Sequence, residues 1–411
     1  MGVKKLFAGV AAVAVTLSLA ACGSGTSASG KTELNVYVYD LETQVSAMFK
    51  EFQKENPDIV LKASYMPTSG DYAQSLQTRI AGNKTPDVFT IISDNLVDIK
   101  NNKVALDLSG DAALEGIPDT YLSTFAKDGK IYGMPTQAWM GFIVYNKDLV
   151  KAAGYDEFPT TWDDFITMGK KMKSNGVTYP FLEGQGAFSY SFEALLGSKY
   201  KAEGETEVDQ KIADGKTTFA KEYLPVLNVW KKAIDEGILT PDSLSLTGDA
   251  LNQAFLSNDL GMYTTGIWDA PTLQKSGMNY GVAPFPAYPG GEPFVAGAVD
   301  HGFAISAKSS PEKQEAAKKL LRFINSETGL KLYCEGNGYA SISSKYTAPA
   351  QKGFEAAYEA TEKGNIFWTI FQKDPAPITA DQIAKTQEMI QGKTTPEELV
   401  KSLDQKMQSA R

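Results

Sequence analysis

Histidine and cysteine are nearly missing from this chain, with one His and two Cys in 411 residues. A lone imidazole excludes zinc sites built on paired histidines. A Ser-His-Asp triad would have to use His301, which no Gly-x-Ser-x-Gly elbow accompanies. No internal repeat of about 20–50 residues runs through the sequence, so solenoids and propellers are excluded. Basic residues are the minority, 40 Lys and Arg against 49 Asp and Glu for a formal charge of −9, and they are scattered. The footprint of a nucleic-acid binder, a basic stripe, is therefore absent. What remains is a globular mixture, 43% hydrophobic, 22% charged and 11% aromatic, with apolar side chains enough for large cores. At roughly 100–200 residues per domain the length predicts two or three domains, and two lobes are expected.

The first 22 residues are of another kind. Lys4 and Lys5 form a basic start, and residues 6–18 are mostly Ala, Val, Leu and Phe. Small residues follow, as in a secretory signal of 1–21 that is too short to span a membrane. The run ends in Leu19-Ala20-Ala21-Cys22, which resembles the lipobox of bacterial lipoproteins, where the cysteine is acylated after cleavage. The protein is then expected outside the cytoplasm, tethered to the cell membrane through Cys22. Lipid on Cys22 would leave Cys334 without a partner, so the mature chain would hold no internal disulfide. Residues 22–31 read as anchor and flexible linker by their Gly and Ser content. Gly25 to Thr32 formally fits the phosphate-loop pattern GxxxxGK[ST], but such a loop needs a strand before it and a helix after it. Here an anchor precedes it and a strand follows, so the match reflects linker composition.

The folded body is expected from Thr32. Leu34 to Tyr39 reads as a strand, and Val45, Met48, Phe49 and Phe52 recur at i, i+3, i+4 and i+7, the stripe of an amphipathic helix. The order repeats with a strand over 59–65, a helix marked by Tyr72, Leu76 and Ile80, and a strand over 87–92. Alternating β and α predicts an α/β fold with a parallel sheet, in which ligands lie beyond the carboxyl ends of the strands. Those ends are Tyr39 to Glu42, Met66 to Thr68 and Ser93 to Asn95. Lys130 to Asn146 is extended and long enough to pass from one domain to another, and the Pro- and Gly-rich tract 278–298 is a second crossing candidate. Helices are expected after Thr161, over 222–236, after Ser309-Ser-Pro-Glu312 and after Thr395. These starts carry a capping residue followed by an acid, or a proline in the first turn.

Glycosidases need only two carboxylates at a set separation, and 49 acidic residues cannot exclude one by composition. The aromatics say more. Five Trp and nineteen Tyr suit sugar recognition, because pyranose C–H faces stack on aromatic planes. Trp162 and Trp230 lie on apolar helical faces and read as core. Trp139 stands in the extended crossing, Trp268 follows Thr264-Thr265-Gly266, and Trp368 has Gly and polar neighbours, so these three are candidates for the ligand. His301 reads as a local hydrogen-bonding residue with ligand contact as the alternative.

Taken together, Gly129 to Pro135, Phe142 to Lys147, Pro159 to Phe165, Gly261 to Trp268, Gly302 to Ser306 and Glu327 to Leu330 resemble, in that order, the extracellular solute-binding family of ATP-binding-cassette (ABC) importers. That family includes carbohydrate-binding lipoproteins such as maltodextrin-binding proteins. The resemblance implies a two-lobed, periplasmic-binding-protein-like clamp of type II, each lobe a mostly parallel sheet flanked by helices, with extended crossings near 136–140, 297–300 and 341–347. Lobe 1 is expected over 32–138 plus 300–344, and lobe 2 over 139–299 plus 345–411. An oligosaccharide would lie between the lobes and be delivered to a membrane permease. The chain would act as a monomer, with no cofactor, no metal and no catalysis. Positions carried over to the ligand are Asp40, Glu42, Asp94, Trp139, Glu183, Trp268, Asp300, Tyr339 and Trp368, with His301 beside them. The departure is Ala298 to Gly302, where relatives commonly hold small residues.

Overall fold

The computed structural model describes residues 30–183, 190–206, 208–246, 248–337, 339–368 and 376–410. Its first strand, β1 (Thr32–Val38), is followed by α1 (Glu42–Glu55), β2 (Ile59–Tyr65), α2 (Ser69–Ala81), β3 (Val88–Ile91) and α3 (Ser93–Asn101). Strands β2 and β3 both pair with β1 in parallel, as strands joined through a helical crossover do. The apolar stripe of α1, Val45, Met48, Phe49 and Phe52, is buried as its spacing demands.

A small hairpin of β4 (Ala126–Lys127) and β5 (Lys130–Ile131) leads into β6 (Met134–Asn146), thirteen residues of which eleven are buried. The remaining strands are β7 (Tyr179–Leu182), β8 (Leu260–Gly266), β9 (Tyr280–Ala283), β10 (Val295–Ile305), β11 (Ala340–Ser341) and β12 (Ile366–Trp368). One sheet runs β2-β1-β3-β10-β6-β8-β7, with β9 and β11 also on β6 and β12 on β10. The sheet is mixed. It is parallel where helical crossovers join strands. It is antiparallel at the long strands β6 and β10, which run past each other in opposite senses.

These two strands organise the molecule. The end of β10, Gly302 to Ile305, pairs with β3, while its start, Val295 to Gly297, pairs with β12. Strand β6 meets β11 at Gln137 and Ala138, and meets β8 from Gly141 onward. The β6–β10 ladder slips on either side of His301, which faces Gln137 out of the register kept by its neighbours.

Three apolar cores flank this sheet. One joins Leu34, Val38, Phe49 and Phe89 to Leu320 and Ile324 of the helix Pro311–Ile324. A second gathers Trp162, Phe165, Phe181, Leu195 and Trp230 with Leu399 and Leu403 of the last helix, Pro396–Ala410. The third packs Phe142, Val144, Phe255, Tyr263 and Phe354. Trp162 and Trp230 are buried, as their helical faces predict. Three of the four helix starts read from the sequence are capped by a side chain, and the fourth, Leu224–Asp235, has Pro225 in its first turn and no side-chain cap. The amide N–H of Asp164 donates to Thr161 Oγ1 at 3.2 Å, that of Lys313 to Ser310 Oγ at 3.4 Å, and that of Glu398 to Thr395 Oγ1 at 3.2 Å. Among the described residues no helix is long and apolar enough to cross a membrane. Cys22 and the first 29 residues lie outside the described ones.

Candidate functional site

Strand ends and the crossing strands meet around a cavity of about 430 Å³, lined by Tyr39, Ile92, Ser93, Asp94, Trp139, Tyr190, Trp268, His301 and Tyr339. Each residue arrives there for a local reason. Tyr39 follows the last residue of β1. The Ile92 amide N–H donates to Asn95 Oδ1 at 3.0 Å, a turn that starts α3 and leaves Ser93 and Asp94 exposed on the cavity side. Trp139 lies at the middle of β6 and pairs with Ala298 of β10. Tyr190 opens the helix Tyr190–Glu203, and Trp268 sits in a single 3₁₀ turn, Ile267–Asp269, straight after β8.

Rings dominate the wall. The Trp139 ring lies 5.0 Å from that of Tyr190 and 6.5 Å from that of Trp268, centre to centre. A second group of rings centres on His301, which lies 5.3 Å from Tyr39 and 6.5 Å from Tyr339, nearly parallel to the latter at 27°. Trp268 is 43% exposed, one of three large apolar side chains left open to solvent among the described residues. An open indole at a cavity mouth marks a surface that a ligand covers.

Space for two of these rings is made by glycine. Gly141 of β6 is the register partner of Gly266 of β8. A Cβ on Gly141 would meet the Tyr190 ring at 2.8 Å, and one on Gly266 would overlap the six-membered ring of Trp268. Paired residues of an antiparallel ladder point to the same face, so both rings lie over one patch of bare backbone.

Five residues named from the sequence share this cavity: Asp94, Trp139, Trp268, His301 and Tyr339. Its lining does not include Asp40, Glu42 or Glu183. Asp40 is buried, and the Tyr333 hydroxyl from the helix Glu327–Asn337 reaches both its oxygens, at 3.4 and 3.3 Å. Burial pushes the Asp40 carboxyl above its usual range, against the opposing pull of His301. Glu42 is exposed in the first turn of α1, where its charge favours the helix N-terminus. Glu183, after β7, is buried and accepts from the Ser191 hydroxyl, which itself accepts the Trp230 indole N–H at 2.8 Å. Asp300 lies in β10 and Trp368 pairs with Gly297, but their side chains fall outside the described ones. Tyr39, Ile92, Ser93 and Tyr190 join the site without having been carried over as ligand positions. The first three stand at the strand ends that the β–α–β pattern marks, whereas Tyr190 has no such local signal.

Comparison with known proteins agrees with this architecture. The sequence profile described as bacterial extracellular solute-binding protein matches residues 47–362. The chain is 25% identical over 347 residues to the multiple sugar-binding protein of Streptococcus mutans, covering 78% of each. To the maltodextrin-binding protein MdxE of Bacillus subtilis it is 26% identical over 372 residues, covering 85% of this chain and 84% of that one. Among solved structures, a family 1 extracellular solute-binding protein from Bifidobacterium longum subsp. infantis is 41% identical, with a TM-score of 0.80 over 92% of this chain and all of that one. A sugar transporter from Bacillus licheniformis in complex with stachyose shares the fold at 20% identity, with a TM-score of 0.68 over 92% of this chain and 100% of that one. The fold is thus the two-lobed α/β clamp of these proteins.

Proposed function

Because the chain belongs to the bacterial extracellular solute-binding protein family, we propose that it captures an oligosaccharide between its lobes and delivers it to the permease of an ABC importer. The observation that carries this reading is the cavity wall, six rings, three of them tyrosines, with the Asp94 carboxylate and the Ser93 hydroxyl beside them. Flat rings match the C–H faces of pyranoses, while Asp94 and Ser93 suit their hydroxyls. Each stacked face contributes on the order of 1–2 kcal/mol, so a few contacts with hydrogen bonds reach micromolar affinity. Relatives named for multiple sugars, maltodextrin and galactooligosaccharide support the same class.

The sugar is held and not cut. The family that the chain matches and the relatives it resembles are named as binding proteins, which supports capture without cleavage. Lobe 1 comprises 32–138 and 300–344, and lobe 2 comprises 139–299 and 345–411, a division supported by the separate cores on either side of the crossing strands. A ligand touching both lobes stabilises the closed form by its differential affinity. Cys22 anchors the protein by lipid at the outer face of the membrane. Relatives from Streptococcus pneumoniae named as solute-binding lipoproteins support that reading. Titration calorimetry with a panel of oligosaccharides, peptides and polyamines, combined with product analysis, tests it. Heat with sugars and no cleavage product is expected; heat with a non-sugar solute alone, or turnover, overturns it.

A further inference from the structure

Trp268 occupies a three-residue turn and is 43% exposed, so packing alone does not fix its indole. Its neighbour Asp269 is anchored far better. Asp269 Oδ2 accepts the Thr265 hydroxyl at 2.6 Å, and Oδ1 accepts the Asn252 amide at 3.4 Å. The Tyr263 hydroxyl donates to Asn252 Oδ1 at 2.7 Å and reaches Asp269 Oδ2 at 3.3 Å. Thr265 and Asp269 bracket Gly266, Ile267 and Trp268, so the carboxylate closes a clasp around the turn that carries the indole. Asn252, from the helix Gly248–Leu256, ties that clasp to the body of the protein.

The direction of the carboxylate is informative. Asp269 precedes the helix Ala270–Ser276 at the position where an Asp commonly accepts the helix amides, yet it makes no such bond. Its acceptors are turned back onto Thr265 and Asn252 instead. Burial and the Asp269 charge keep the Tyr263 phenol protonated far above its usual range, consistent with a fixed carboxylate here.

We propose that Asp269 is a positioning residue for ligand capture, setting the angle at which Trp268 lies over Gly266 and meets the sugar. The inference rests on the oligosaccharide reading above. Its test is a double-mutant cycle with Asp269→Asn, Thr265→Val and Trp268→Ala, alone and combined, titrated with an oligosaccharide that the unmodified protein binds. Asparagine places a donor against one or more of the donors that Asp269 accepts from, and valine removes the shortest bond of the clasp. Each is expected to weaken binding by about three- to tenfold when Trp268 is present, and by less than about twofold when Trp268 is Ala. Equal weakening in both backgrounds, or none in either, overturns the proposal, since a merely structural role would not depend on the indole. A second readout needs no ligand. The indole N–H signal of Trp268, assigned by its loss in Trp268→Ala, should shift in Thr265→Val while those of Trp162 and Trp230, buried in a separate core, stay in place. A signal that does not move also overturns it. Failure of every oligosaccharide to bind the unmodified protein would instead sink the functional reading and leave this spectroscopic arm to decide the role of Asp269.

Discussion

Gly141 and Gly266 face each other across the β6–β8 ladder, and each is covered by a ring of the cavity wall, Tyr190 over the first and Trp268 over the second. The aromatic surface of the site is therefore seated on backbone, and its depth is set by two residues with no side chain. A methyl group at either position would raise a ring into the space a ligand needs.

Gly266→Ala should weaken oligosaccharide binding by about tenfold or more while costing about 1–3 kcal/mol of stability, because the indole must leave its place. Its backbone is extended, so no torsional strain adds to the effect. Calorimetric titration beside thermal unfolding separates the two quantities. Unchanged affinity would show that the ring does not need the glycine beneath it.

Trp268→Ala should reduce affinity by about tenfold or more and leave stability within about 1 kcal/mol, since the side chain is already 43% exposed. Affinity equal to that of the unmodified chain would remove Trp268 from the site.

Glu193 lies three residues after Tyr190 and is buried, and neither of its carboxyl oxygens has a hydrogen-bond partner among the described residues. Burial first, then the charges of Asp209 and Glu183, raise its pKa well above the ordinary value. In the folded state it therefore keeps its proton at pH values where the unfolded chain has lost it. The folded state binds more protons, so this group's contribution to stability is fully present below the unfolded pKa near 4.3 and declines as pH rises toward the folded pKa. Glu193→Gln should remove that slope and become progressively more stable than the parent from about pH 5 to pH 8. Urea denaturation across that range measures it. Parallel pH profiles for the two proteins would refute the burial argument.

Cys334 is buried and without a disulfide, and burial pushes its thiol up to about 12. In a chain with Cys22 replaced by Ala, a thiol reagent at pH 8 should label nothing in the native state and one site after unfolding in urea. Rapid native labelling would contradict the packing around Cys334.

Closure around ligand should shorten the molecule. Small-angle scattering is expected to give a smaller radius of gyration with a bound oligosaccharide than without, and an identical radius would argue against movement of the lobes.

Much of this fold is written locally. The stripe of α1 and the caps at Thr161, Ser310 and Thr395 depend on residues within one or two turns, so spacing alone reveals them. The strand ends of β1 and β3 are equally visible, which places Tyr39, Ser93 and Asp94 near the ligand side. Two acids at such ends nevertheless part company. Asp94 stays exposed at the start of α3, whereas Asp40 is drawn under the surface by Tyr333, 293 positions away. No local pattern carries that difference. Tyr190 was equally hidden, because its role comes from lying over Gly141 of a distant strand. Mixed pairing in the sheet has the same origin. Alternating β and α predicts the parallel strands, but not that two long strands would run antiparallel through both halves.

That last arrangement sets what can be taken apart. Strands β6 and β10 each contribute hydrogen bonds on both sides of the cleft. A gene fragment that stops at residue 138 therefore keeps β1 to β3 but loses β10, the neighbour of β3. Neither half is a separable cassette, and grafting a new specificity onto this scaffold has to proceed through its loops and short turns, with both shared strands left whole.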